Sequence, residues 1–414
     1  MSGIKAARRL HLFKESVAGT PGVATALWRG TGLLEDKQEI VFVEEDVGYV
    51  VPLDRTYSPK LLAALGMDST PATFEQLPYL LSAGIQNIVT GVADGGGGTG
   101  KIYAYNLPTT AARTIKTYTI EGGDDQQKEE AEYAFVESLK IAGKMGEAVM
   151  MSANWAARQI TPGVETSGTG IAFVASTKKI TNTGNDLAKF LTGTTIKVTG
   201  SVANDGVYTV ATGGVAAEIV VTETLIDGAA GPSVTVEDWF SGGPTGLTVP
   251  AVEEILASKT KIYLDAVGGS FGGTLKSNTL LNFETDLKTG FAPRFNADGN
   301  LYFSRHTFTR EGFDGSLKLT FEHDGTAEVE RTNWRAETSR KIRLLIQGSA
   351  LGTAGTTYTY KSLIMDLVGK WEKFDKLSED KGNDTVSGTF KVAYNSTAAA
   401  TGVITVVNEL TSLT

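Results

Sequence analysis

Residues 133–160, YAFVESLKIAGKMGEAVMMSANWAARQI, decide how this chain is read. In the second part of the stretch Val149, Met151, Ala153 and Trp155 alternate with polar or small residues. Side chains that recur every second position share one face of a strand, so the period predicts a half-buried β-strand. The preceding YAFVESLKIAGK is read as its neighbouring strand. The chain around this block has the same texture. Glycine is plentiful at 48 and proline scarce at 11, and Ser, Thr and Val recur throughout. Short strands joined by tight turns have that composition.

Two helices interrupt the pattern. In TFEQLPYLLSAG, Thr73 and Gln76 have capping-box spacing and Leu77, Leu80 and Leu81 share a face. Pro78 predicts a short helix or a late start. TAEVERTNWRAETSR predicts a second helix with Thr326 at its N-cap.

After each helix the order of elements repeats. KIYAYNL, TIKTYTIE, YAFVESLKIAGK and EAVMMSANW follow the first. KIRLLIQGS, TTYTYKSLIMDL, VGKWEKFDKL and DTVSGTFKVAYNS follow the second, at closely matched separations. Matching order and spacing suggest a duplicated domain. Between the copies, TTIKVTGSVANDGVYTVATGGVAAEIVVTETLIDG is almost purely β, with Asn204-Asp205-Gly206 as a hairpin turn. The fold expected is therefore mainly β with few helices, in two tandem β-sandwich or half-barrel units, each with a flanking helix. A small all-β domain is inserted between them. The boundaries expected are residues 1–30 for an N-terminal arm, 31–170 for the first unit, 171–240 for the insert and 241–414 for the second unit. The arm would pack on a neighbour or fray.

The 414 residues carry a formal charge of −9, with 41% hydrophobic and 21% charged residues. That is ample for a folded core and a poor match to general nucleic-acid wrapping, which needs concentrated Lys and Arg. There is no cysteine, so disulfides, zinc fingers and thiolate catalysis are excluded. His11, His306 and His323 lie far apart, which speaks against a histidine metal site or triad. The first residues lack the apolar core of a secretory signal, and no apolar run approaches the length needed to span a bilayer. A product of a reducing cytoplasm is expected.

ADGGGGTGKIY, residues 93–103, nearly spells a phosphate-binding loop. The motif needs a helix and a Ser or Thr after the lysine; here Ile102 follows Lys101 and KIYAYNL is strand-like. A mobile connector is the expected reading. Ser304-Arg305-His306 lacks a nucleophile elbow, so His306 is expected on a strand face. No catalytic, cofactor or metal site is expected.

The blocks at 133–160, 280–293 (LLNFETDLKTGFAP), 341–349 (KIRLLIQGS) and 361–397 resemble the major tail tube proteins of long-tailed, siphovirus-like bacteriophages in their duplicated form. FLTGTTIKVTGSVANDGVYTVATGG resembles a small β module embedded in phage tail proteins. The resemblance implies a structural virion protein, not an enzyme, assembled in the host cytoplasm. Its subunits would form stacked rings with an acidic lumen that conducts DNA without binding it specifically. A duplicated unit favours three chains per pseudo-hexameric ring, with six as the alternative. Tape measure, tail terminator and distal tail proteins would be partners, with no membrane contact. In that setting Glu44, Glu45, Asp46, Asp124 and Asp125 are candidate lumen residues. Residues 54–70 are the candidate stacking loop, through Asp54, Arg55, Tyr57 and Lys60. The insert would face outward. Another tail or baseplate protein, or a bacterial surface β-sandwich protein, are the competing readings.

Overall fold

The computed structural model describes residues 3–51 and 53–414. Its first half contributes strands β1 (Arg9–Lys14), β2 (Gly32–Asp36) and β3 (Ala63–Pro71), helix α1 (Leu77–Gly84), then β4 (Lys101–Asn106), β5 (Tyr118–Gly123), β6 (Lys128–Lys144), β7 (Met150–Ala157) and β8 (Ile160–Pro162). After a small all-β unit the second half supplies β9 (Thr260–Ala266), β10 (Leu280–Lys288), β11 (Asp314–Glu322), helix α2 (Gly325–Arg335), β12 (Arg340–Ala350), β13 (Tyr360–Phe374), β14 (Asn383–Val392) and β15 (Gly402–Asn408). The fold is mainly β with two α-helices among the described residues.

One antiparallel sheet runs through both halves in the order β2-β3-β7-β6-β10-β11-β14-β13. The sequence LLNFETDLK shows why it forms. Phe283, Thr285 and Leu287 are buried, while Glu284, Asp286 and Lys288 point to solvent. Period-two patterning of this kind gives a sheet one packed face and one wet face.

Two long strands leave this sheet for a second layer. The N-terminal part of β6 pairs with β5 on one edge and β8 on the other, and β5 continues to β1. The N-terminal part of β13 pairs with β12 and β15, and β12 continues to β9. Each long strand is bulged where it enters the shared sheet, at Val136/Ser138 in β6 and Trp371/Lys373 in β13. The two halves thus repeat one pairing scheme: β2, β3, β6 and β7 correspond to β10, β11, β13 and β14. The extra strand is β4, which pairs with β15 of the other half. KIYAYNL therefore has no counterpart in the second half; the partner of KIRLLIQGS is β5.

Between the layers lies an apolar core that includes Leu65, Trp155, Tyr118, Phe283, Leu317, Trp371 and Phe390. Helix α1 is buried on every side, as an all-apolar helix must be. It begins late, as Pro78 predicts, and Thr73 Oγ1 accepts the Gln76 N–H at 3.1 Å. The reciprocal half of the capping box is absent, because Gln76 Nε2 donates instead to the Leu27 carbonyl. The cap of α2 is Asp324, whose carboxylate accepts the Ala327 N–H at 2.9 Å; Thr326 lies inside the helix.

Residues 9–14, expected in a free arm, form β1, and its Leu10 and Leu12 enter the core. RLHLFK has period two, and that signal outweighs the Gly and Pro that follow it. The small unit is a seven-stranded sheet from Glu165 to Trp239 with its own core, including Ile171, Phe173, Ile196 and Val236. Its first strand starts at Glu165, before residue 171, and pairs with its last.

Candidate assembly surfaces

The shared sheet leaves one broad face open to solvent. Small polar and neutral side chains lie across it: Asn154, Ser138, Ala142, Ser316 and Thr389 are all at least partly exposed. Charges of both signs interleave, with Glu35, Glu284, Asp286 and Asp314 set against Lys140, Lys288, Lys318 and Lys391. Lys140 Nζ reaches Glu284 at 2.8 Å across strands, and Lys391 pairs with Asp314. A face balanced in this way presents little net field to a polyanion.

None of the acidic residues singled out in the sequence lies on this face. Glu44 ends a short strand, Val41–Glu44, that pairs with Leu53–Tyr57 to make a projecting hairpin. Glu45 and Asp46 follow at its tip. Asp124 and Asp125 form the turn between β5 and β6. Asp125 accepts the Ile4 N–H at 2.7 Å, and its carbonyl takes Lys197 Nζ of the small unit at 3.4 Å. The turn is thus held against the small unit. The open-face charges were missed although FETDLK and LKLTF carry them in strict alternation.

The proposed stacking loop is not a loop. Asp54, Arg55 and Tyr57 belong to the hairpin strand, and Ala63–Pro71 is β3. Arg55 pairs with Glu45 at 2.7 Å and Lys60 with Glu39 at 2.8 Å. The candidate lumen acids 44–46 and the candidate stacking residues are therefore parts of one hairpin. Several of its apolar side chains are uncovered: Phe42 is 61% exposed, Tyr49 65% and Val50 101%.

At its two ends the sheet has edges that no second strand pairs, among the described residues. Within the chain β2 pairs only with β3, and the segment of β13 beyond Gly369 pairs only with β14, among the described residues. On its other side the Glu372 carbonyl takes the Trp334 indole N–H at 3.1 Å. The corresponding segment of β6 is paired on both sides, with β7 and with β10, where Ser138 stands opposite Lys288. Unpaired edges are templates for another strand.

The glycine run is docked, not mobile. Gly95, Gly96 and Gly97 all have positive φ, and the Asp94 carboxylate accepts the backbone N–H groups of Thr357 and Tyr358, the latter at 2.7 Å. A Cβ on Gly98 would lie 2.4 Å from Gly355 Cα. Strand β4 follows directly, so no helix N-terminus faces the loop. His306 sits on a short strand with Nδ1 3.3 Å from the Tyr133 hydroxyl, and burial pushes its pKa down. Among the described residues no cluster of His, Cys, Asp or Glu is arranged to hold a metal, and no helix is long and apolar enough to cross a membrane.

The small unit is tied to the first half by a buried ionic knot. Glu121 contacts His11 Nδ1 and Lys128 Nζ, both at 3.2 Å, and accepts from Ser241 Oγ at 2.5 Å. Burial pushes the Glu121 carboxyl up, but His11, the Lys128 charge and two Ser241 donors outweigh it and bring it to about 2. Lys128 also meets Asp238 at 2.9 Å and Glu130 at 3.5 Å. Burial dominates at Glu130 and raises its carboxyl to about 7.

No family model and no curated protein matches the chain. Among solved structures, the phage phi92 endosialidase aligns at 10% identity over 94% of this chain and 70% of that one, with a TM-score of 0.19. An overlap that low bears on neither fold nor activity.

Proposed function

We propose that this chain is the repeating subunit of a bacteriophage tail tube. Copies join edge to edge into rings, rings stack, and the open polar face of the shared sheet lines the channel that DNA traverses. The observation that carries this reading is the β6–β10 pairing. It joins the two halves within one chain, and the repeated scheme leaves the equivalent edges, β2 and the end of β13, without a second strand partner among the described residues, the Glu372 carbonyl alone being taken by the Trp334 indole.

Joining the end of β13 to β2 of a second copy repeats the internal junction. The bulges align Ser138 with Lys373, and the β2–β3 and β10–β11 pairings align Lys288 with Lys37. The chain thus supplies two like units, and a closed ring of three chains would have six-fold-like symmetry. Closure removes both free edges. A face with balanced charge lets DNA slide, since holding it would need net positive charge to displace counterions. The small unit is tied through Asp238 and Ser241 to the Glu121–Lys128 layer, away from the open face, which suits an outward position. Tape measure, terminator and distal tail proteins are the partners this reading calls for.

Electron microscopy of the purified protein tests it. Rings or tubes with a central channel are expected; a protein that stays monomeric at high concentration, alone and with tail initiation proteins, contradicts it.

A further inference from the structure

We infer that the hairpin formed by Val41–Glu44 and Leu53–Tyr57 docks sideways on the second half of a neighbouring copy, over Lys370 and Lys391. The inference rests on the ring reading and adds the surface that locks each junction.

The second half contains the counterpart of this hairpin. Phe291–Arg294 pairs with Arg305–Phe308 between β10 and β11, just as the first hairpin lies between β2 and β3. That counterpart is covered. Phe291 and Phe303 are buried against Tyr133, Phe135 and Ala156 of the first half. Arg158 Nε and Nη2 donate to the carbonyls of Phe303 and Ser304, both at 3.1 Å, and Leu61 N–H donates to the Leu301 carbonyl at 2.9 Å. The internal junction thus has two parts: a strand pairing, and a hairpin that continues from the pairing strand and clamps the long strand where it changes layers.

The first hairpin continues from β2 in the same chain order, yet among the described residues its Phe42, Tyr49, Leu53 and Tyr57 are left exposed. A two-stranded hairpin with no packed face is marginal alone, and an exposed apolar patch of this kind marks a protein contact. Its seat follows from the repeat. The bulge alignment places Lys370 where Phe135 lies and Lys391 where Ala156 lies. Both lysines are exposed, and Tyr394 beside them is 49% exposed. The hairpin brings Glu44 and Asp46, and Lys370 stands on the seat, so the two are complementary in charge as well as position; Glu39 and Lys391 already pair with Lys60 and Asp314 within the chain.

A photoreactive benzoylphenylalanine at Phe42 tests this. Equal amounts of isotopically heavy and light protein are mixed, assembled and irradiated, and ring formation is checked on the same sample by electron microscopy. Mixed heavy–light cross-links into peptides carrying Lys370 or Lys391–Tyr394 are expected. Rings whose cross-links fall only elsewhere, such as on an axially stacked face, overturn the sideways docking and leave the ring reading intact. The absence of any rings overturns the ring reading and this inference with it. A Lys370→Glu, Lys391→Glu variant supplies a second reading: weakened ring formation with an unchanged melting temperature supports the seat, and unchanged ring formation contradicts it.

Discussion

Val136 and Trp371 hold equivalent places in the two halves of the chain. Each is core-facing, each is the last paired residue before a bulge, and each faces an aromatic residue, Trp155 or Phe390, at the same separation along the sequence. The bulge lets one long strand serve two layers, because an extra residue bends the strand and shifts its register. Keeping that device in both halves fixes which edges correspond, and the account of assembly follows from that correspondence.

The buried anchor of the second half is Glu330 on α2. It is fully buried, takes Arg340 Nε and Nη2 at 3.0 and 2.6 Å, and accepts the Trp371 indole N–H at 2.9 Å. Glu330→Ala strands the Arg340 guanidinium in the interior and is expected to cost about 3–5 kcal/mol. Glu330→Gln, which keeps an acceptor, costs less. Urea unfolding of the two variants beside the parent measures both; equal, small losses would show that the pair contributes little.

The knot at the small unit predicts a pH dependence. The Glu130 carboxyl is raised from its usual range to about 7, so its ionised form is disfavoured in the fold. Its contribution is therefore complete below pH ~4.5 and is lost as pH rises through ~7. Glu121, held down to about 2, acts oppositely, and its contribution is lost as pH falls from ~4.5 toward ~2. Glu130→Gln should flatten the decline in stability between pH 5 and 8, by about 1–3 kcal/mol at the upper end. Melting curves across that range check it, and an unchanged slope would place the titration elsewhere.

The glycine loop yields a paired prediction. Gly98→Ala forces a Cβ into the Gly355 backbone and should loosen the docked loop by about 1–3 kcal/mol. Faster amide hydrogen exchange at Thr357 and Tyr358 would report it. Lys101→Ala should leave exchange, assembly and melting unchanged, and ATP should not shift the melting temperature. A clear ATP-induced shift would reopen the phosphate-loop reading.

The small unit closes its own core, so residues 164–240 expressed alone should fold. Dispersed amide resonances and a cooperative melt are expected. A disordered spectrum would mean that the Glu121–Lys128 knot and the contacts around Trp239 are needed to hold it together.

Much of the fold was legible where period two is strict. LLNFETDLK and EAVMMSANW declare their buried faces without help from tertiary context. Pairings between distant segments were not legible. KIYAYNL shares its opening residues with KIRLLIQGS, yet it pairs with β15 at the far end of the chain, and no local signal encodes that choice. The Thr326 cap lost to Asp324 because both are good N-cap residues, and only the strand end at Glu322 decides between them. The open-face charges escaped a sequence reading for a different reason. Acidic runs draw attention, but here they mark the hairpin tip and a turn, while the open face carries isolated charges spaced by the strand period.

The central claim is that the end of β13 pairs with β2 of the next copy as β6 pairs with β10 within the chain. The protein has no cysteine, so a Lys37→Cys, Lys373→Cys variant can be oxidised without background. Ser138→Cys with Lys288→Cys, directly opposite in the internal junction, serves as the intrachain control. Denaturing gels of the oxidised assembly should show a covalent ladder that stops at three chains. Rings that form without cross-linking at 37–373, or a ladder that continues to six, would contradict the account.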